Sequence, residues 1–131
     1  MKTFLIFAVL VVTTLAVAAQ PAEKTNVVKH VDAKQAEKLV ADHKVIVLDV
    51  RTPEEFKAGH IAGATNIDFN SSDFDKVIAS LSKTNSYLVH CAVGGRSTRS
   101  LKLFQKDHFQ SIYHLDGGIE AWEKAGLPTE K

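Results

Sequence analysis

Tyr87-Leu88-Val89-His90-Cys91-Ala92-Val93-Gly94-Gly95-Arg96-Ser97-Thr98-Arg99 reads as a short apolar strand, a cysteine, a Gly-Gly turn and a helix that opens on polar and basic residues. A strand that passes straight into a helix gathers backbone N–H groups around the residue between them and favours negative charge there. Cys91, the only cysteine of the chain, stands at that position. An unperturbed thiol titrates at about 8.5, so only about 3% is thiolate at neutral pH; lowering that by about two units requires about 2.7 kcal/mol of preference for the anion. A helix N-terminus, several inward N–H groups and a nearby cation together supply energies of that size. A lone cysteine is otherwise a small buried hydrophobe. The Gly-Gly-Arg-Ser sequence directly after Cys91 favours the reactive alternative, in which Gly94 and Gly95 let the backbone curl around the sulfur.

Outward from this stretch, strand and helix signals alternate. Val27–Val31 reads as a strand, and Asp32 caps a helix over about 33–41. Val45 to Leu48 is a continuous apolar run, β-branched over its first three residues, of the kind buried on both faces of a parallel sheet. Thr52-Pro53-Glu54-Glu55 holds a full helix start, with Thr52 as N-cap, Pro53 in the first turn and Glu55 as the reciprocal capping group, and Gly59 stops that helix. Ala64 to Ile67 reads as a further strand, and Ser72 or Asp73 caps a helix to about Leu81. A helix over about 96–107, a strand at Ser111–Leu115, the turn Asp116-Gly117-Gly118 and a last helix stopped by Gly126 and Pro128 complete the pattern. The implied fold class is α/β: a doubly wound, mostly parallel sheet of about five strands with helices on both faces. Such sheets bind ligands beyond the carboxyl ends of their strands, so Asp49-Val50-Arg51, Cys91 and Asp116-Gly117-Gly118 are expected along one edge.

The chain has 131 residues and a formal net charge of +1. That is room for one domain, and it gives no electrostatic reason to expect nucleic acid or an acidic membrane as partner. Lys2 followed by the apolar run from Phe4 and the small residues up to Ala19 has the form of a secretory signal peptide over 1–19, too short and too weakly flanked for a stable membrane span. Residues 20–26 read as a flexible leader and 27–131 as the folded domain. The expected location is therefore exported, periplasmic or secreted. One cysteine forms no internal disulfide, so Cys91 is expected either buried and inert or reachable and useful. A monomer is favoured.

Several residues have both a structural and a chemical reading. Arg96 stands at the unfavourable end of a helix dipole, which makes sense if its guanidinium faces an anion. Arg99, a turn later, reads as solvated. Arg51 is expected in a salt bridge with Glu54 or Glu55, and Asp49 as support for the Cys91 loop. His60 reads as a hydrogen-bonded structural histidine. His90 precedes Cys91 in a strand and is expected on the opposite face, so no Cys–His dyad is expected. One cysteine and scattered histidines show no metal-ligand spacing, and no metal is expected. Phe74, Phe104 and Trp122 sit at core positions.

Taken together, Asp49-Val50-Arg51, Glu54-Glu55-Phe56, Gly59-His60-Ile61-Ala62-Gly63-Ala64, the loop Cys91 to Ser97, Asp116-Gly117-Gly118 with Ala121-Trp122, and Ala125-Gly126-Leu127-Pro128 resemble the single-domain rhodanese family of sulfurtransferases. The resemblance runs from about Val28 to Pro128. It implies a catalytic Cys91 that takes the outer sulfur of a donor such as thiosulfate and passes it, as a persulfide, to a thiophilic acceptor such as cyanide, a thiol or a thiol-bearing protein. It implies a substrate-binding loop of Ala92, Val93, Gly94, Gly95, Arg96 and Ser97, with Arg96 as the loop cation, Asp49 and Arg51 as supporting residues, and no cofactor. Ile119 stands where many relatives carry Trp, and Val93 is apolar in a loop that often holds a polar residue. One alternative is a sulfur-carrying or partner-binding module with little turnover alone. Another is a phosphatase or arsenate reductase, against which the loop speaks: tyrosine phosphatases resemble Cys-x5-Arg, whereas Arg96 follows Cys91 after four residues.

Overall fold

The computed structural model describes residue 18 and residues 27–131, with Val27 described in its backbone alone. Apart from Ala18, the signal peptide and leader read from the sequence lie outside the described residues. The elements alternate without exception: β1 (Val27–Val31), α1 (Ala33–Ala41), β2 (Ile46–Asp49), α2 (Pro53–Ala58), β3 (Thr65–Asn66), α3 (Phe74–Ser80), β4 (Ser86–His90), α4 (Gly95–Lys106), β5 (Ser111–Leu115) and α5 (Gly118–Lys124). The strands form one five-stranded sheet in the order β1-β5-β4-β2-β3, and every neighbouring pair is parallel.

Side-chain alternation along these strands divides the core in two. Leu48, Tyr87, Val89 and Ile112 face one side, where Phe74 and Ile78 of α3 and Leu101 and Phe104 of α4 cover them. Val47, Leu88, Val31 and Leu115 face the other, beneath Ala36 of α1 and Trp122 of α5. Phe74, Phe104 and Trp122 are buried as expected. Beyond their first residues, β2 and β4 are covered on both faces, which is why their apolar residues run on without alternation.

Helix starts follow local chemistry. Asp32 and Gln35 form a capping box at α1, and Thr52 and Glu55 form the one expected at α2. Asp73 takes the N-cap place of α3 but makes no side-chain capping bond, because its backbone (φ −94°, ψ 1°) lacks the extended conformation such a cap uses. The strand expected from Ala64 to Ile67 is only Thr65–Asn66, at the sheet edge. The fold's consequence for function is positional. β2, β4 and β5 are parallel neighbours and end at Asp49, His90 and Leu115, so the segments after them share one edge. Among the described residues no helix is long and apolar enough to cross a membrane.

Candidate active site

At the end of β4 the chain turns through residues 91–94 and enters α4 at Gly95. Gly94 is the N-cap and has φ +118°, a left-handed conformation that a side chain disfavours. This turn aims its donors at one atom. The Gly94 N–H donates to Cys91 Sγ at 3.1 Å and the Ser97 hydroxyl at 3.3 Å.

The opposite side of the loop explains why the amides face inward. The Cys91 carbonyl accepts the Ile119 N–H at 3.0 Å, and the Ala92 carbonyl accepts the Glu120 N–H at 3.1 Å. The first turn of α5 thus satisfies its own orphan donors with the carbonyls of the cysteine loop. His90, on the face away from the sulfur as expected, donates its Nδ1–H to the Cys91 carbonyl at 3.0 Å. The close approach requires Gly118: a Cβ there would lie 2.5 Å from the Cys91 carbonyl oxygen, and its φ is +60°. The turn Asp116-Gly117-Gly118 therefore works as the clamp that orients the loop.

Burial pushes the Cys91 thiol up, but the Ser97 hydroxyl and the N–H groups of Ser97, Gly94 and Arg96 outweigh it, and the net shift is downward, toward thiolate. The expectation of a thiol reachable from water needs correction. Cys91 is 1% exposed and packs in the cluster beneath α3 and α4, because the loop folds over its own sulfur. The loop's exposed point is Val93, at 59%.

Arg96 faces an anion, as expected, and that anion is a side chain of the protein: its guanidinium grips the Glu55 carboxylate through two bonds, Nη1 to Oε2 at 2.8 Å and Nη2 to Oε1 at 2.9 Å. Arg96 reaches the thiol through its backbone N–H. The Arg96 bonds hold Glu55 at about 2, far below the usual carboxylate range, while the same Oε2 accepts the Thr52 N–H of the capping box at 2.9 Å. Glu55 thus ties α2 to the start of α4.

Arg51 does not pair with Glu54 or Glu55, the partners expected from the sequence. Its Nε and Nη2 bind the Asp49 carboxylate at 2.9 and 2.7 Å, and Nη2 also donates to the Gly59 carbonyl at 2.8 Å. Asp49 is 0% and Arg51 6% exposed. The short sequence separation decides this: two residues past the strand end, the Arg51 chain folds back on Asp49, while Glu55 is occupied by Arg96. His60 is structural as expected, its Nδ1–H donating to the Phe56 carbonyl at 2.9 Å and its ring stacked on Phe56. Arg99 lies over the Phe69 ring.

The sequence reading missed His114. This residue, the fourth of β5, is buried, and its Nε2 lies 2.8 Å from Ser97 Oγ. Its Nδ1 lies 3.0 Å from Asp116 Oδ1. A continuous chain therefore runs Asp116–His114–Ser97–Cys91. Burial holds His114 below the ordinary histidine range. The available signal was its place near the carboxyl end of a strand, where sites in parallel sheets collect.

A model of the rhodanese-like domain matches residues 32–125. The chain is 34% identical over 102 residues to a protein named thiosulfate sulfurtransferase 16, chloroplastic, of Arabidopsis thaliana, covering 70% of this chain and 83% of that protein. It is also 34% identical over 103 residues to thiosulfate sulfurtransferase GlpE of Pseudomonas putida, covering 78% and 90%. Among solved structures, a rhodanese-related protein of Thermoplasma volcanium superposes with a TM-score of 0.70 at 28% identity, covering 78% of this chain and 97% of that one.

Proposed function

The chain belongs to the rhodanese-like domain family, and from that premise we propose that it is a sulfurtransferase in which Cys91 is the nucleophile. The observation that carries this reading is the convergence of the Gly94 N–H and the Ser97 hydroxyl on Cys91 Sγ within 3.3 Å. In the first step the Cys91 thiolate attacks the outer sulfur of a donor such as thiosulfate. The new S–S bond forms as the donor's S–S bond breaks, and the electron pair leaves with sulfite. In the second step cyanide or a thiolate attacks the terminal sulfur of the persulfide, and the electron pair of that bond returns to Sγ. The same donors stabilise the anionic sulfur before and after each transfer, with no reorganisation at the moment of reaction. Because Glu55 neutralises the Arg96 guanidinium, the anionic donor meets backbone N–H groups and the N-terminus of α4 rather than a free cation.

Purified protein mixed with thiosulfate and cyanide is expected to produce thiocyanate, and Cys91→Ala is expected to abolish that production. Turnover that survives Cys91→Ala overturns the proposal. The burial of Cys91 favours a second reading, a sulfur carrier that turns over slowly alone. In that case the persulfide forms on donor treatment and only a thiol-bearing partner discharges it. By the form of its first nineteen residues the chain carries out this chemistry after export.

A further inference from the structure

Beside the sulfur, but outside the steps above, two histidines and an aspartate meet at the carboxyl edge of the sheet. The topology brings them together. His30 and His114 are register partners on the parallel strands β1 and β5, and Asp116 follows His114 by two residues, on the same face. The Asp116 N–H donates to the Val31 carbonyl at 2.9 Å, which fixes the aspartate beside the strand ends. His30 Nδ1 and His114 Nδ1 lie 2.8 and 3.0 Å from Asp116 Oδ1, and 3.3 Å from each other.

We propose that His30 Nδ1, His114 Nδ1 and the Asp116 carboxylate form a binding site for a late first-row divalent cation of the zinc class. Imidazole and carboxylate suit such ions. Ligands held at about 2.0–2.1 Å in tetrahedral geometry stand about 3.3 Å from one another, so the observed triangle needs to open by only a few tenths of an ångström. As hydrogen-bonding groups the two ring nitrogens, 3.3 Å apart, share one carboxylate oxygen as acceptor, and as metal ligands all three atoms bind one centre. The His30 and Asp116 side chains are 53% and 57% exposed, which leaves an ion free access and a fourth position for water.

The site has its outer support built in. A metal-bound histidine needs a partner on its other ring nitrogen to fix tautomer and orientation, and His114 Nε2 has Ser97 Oγ at 2.8 Å. With a metal on Nδ1 the ring proton resides on Nε2 and is donated to Ser97 Oγ. The Ser97 hydroxyl proton is then left to Cys91 Sγ at 3.3 Å and the Gly94 carbonyl at 3.2 Å. Without the metal, Nδ1–H donates to Asp116, and Nε2 competes with the sulfur for the Ser97 proton. Occupancy of the site therefore removes His114 Nε2 as a competitor for the Ser97 proton. This last link bears on Cys91 as the reactive group, whereas the binding itself does not depend on sulfur transfer. The pattern is invisible in sequence spacing, because the two histidines are 84 positions apart.

The test uses the full chain carrying Cys91→Ala, so that no thiolate competes for the ion. Calorimetric titration with zinc chloride is expected to show one ion per chain, weakened at least about tenfold by His30→Ala and by Asp116→Asn. Both side chains are half-exposed, so these variants keep the core intact. A long-range proton–nitrogen spectrum of the imidazole rings is expected to show the Nδ1 signals of His30 and His114 moving together on zinc addition, with His114 protonated on Nε2. No binding at millimolar zinc overturns the proposal, as does binding that both variants leave unchanged or that leaves those ring signals unmoved.

Discussion

Replacing Ser97 by alanine isolates the contribution of one hydroxyl to the reactivity of Cys91. The hydroxyl lies 3.3 Å from Sγ in a fully buried position, so water does not substitute for it easily. Hydrogen bonds to charged groups contribute about 1.5–3 kcal/mol. A long contact to sulfur belongs at the lower end, and about 1.5 kcal/mol corresponds to a rise in the thiol pKa of about one unit. At pH values below both thiol pKa values, Ser97→Ala therefore has about tenfold less thiolate than wild type. Nucleophilicity rises with pKa with a Brønsted slope of about 0.4–0.5, so each variant thiolate reacts about threefold faster. The pH–rate profile for alkylation by iodoacetamide is then expected to show two differences at once. The variant is about threefold slower at low pH and about threefold faster at high pH, and the two curves cross. Circular dichroism serves as the control for folding, because the substitution also leaves the His114 Nε2 without its partner. Profiles that superpose, or that differ by one constant factor at every pH, refute the claim that Ser97 stabilises the thiolate.

Three further substitutions read the supporting structure. Gly118→Ala places a Cβ against the carbonyls of Cys91 and Ala92 at a left-handed φ and is expected to destabilise the fold by about 3 kcal/mol in urea titration, with loss of sulfur transfer. Asp49→Ala leaves the buried Arg51 guanidinium without its carboxylate and is expected to cost about 3–5 kcal/mol by the same measurement. Glu55 has a folded-state pKa of about 2, below its usual 4.5, so its ion pair adds stability that is fully present above pH 4.5 and is lost as pH falls toward 2. With its side chain 36% exposed, screening reduces that contribution to about 1 kcal/mol, and Glu55→Gln is expected to flatten the stability profile across that window.

How much of this was legible in the sequence depended on the range of the interaction concerned. The capping box of Thr52 and Glu55 spans three residues and was readable from residue types alone. The same holds for the Cys91 turn, where Gly94 takes a left-handed φ and the helix begins within four residues. The apolar run over 45–48 and the alternation of strands with helices announced a parallel sheet, and that sheet placed Cys91 and the Asp116 turn on one edge. The partner of Arg96 was not legible. Glu55 lies 41 positions away, and its role as a local capping group gave no sign that Oε2 would be shared. The partner of Arg51 was hidden differently: several acids lie near it in sequence, and only the backbone turn after β2 selects Asp49. His114 was missed because its meaning comes from Ser97 on α4 and His30 on β1, which only strand order brings together. The covering of the thiol was also hidden, since it depends on how the loop closes against α5.

The central claim is that Cys91 holds the sulfur in transit, and the mass of the intact protein tests it most directly. After incubation with thiosulfate and removal of excess donor, the chain is expected to carry one added sulfur atom, located on the peptide containing Cys91. Cyanide is expected to return it to its starting mass with release of thiocyanate. A folded protein that gains no sulfur from thiosulfate or a polysulfide, or that gains it on a residue other than Cys91, contradicts the account.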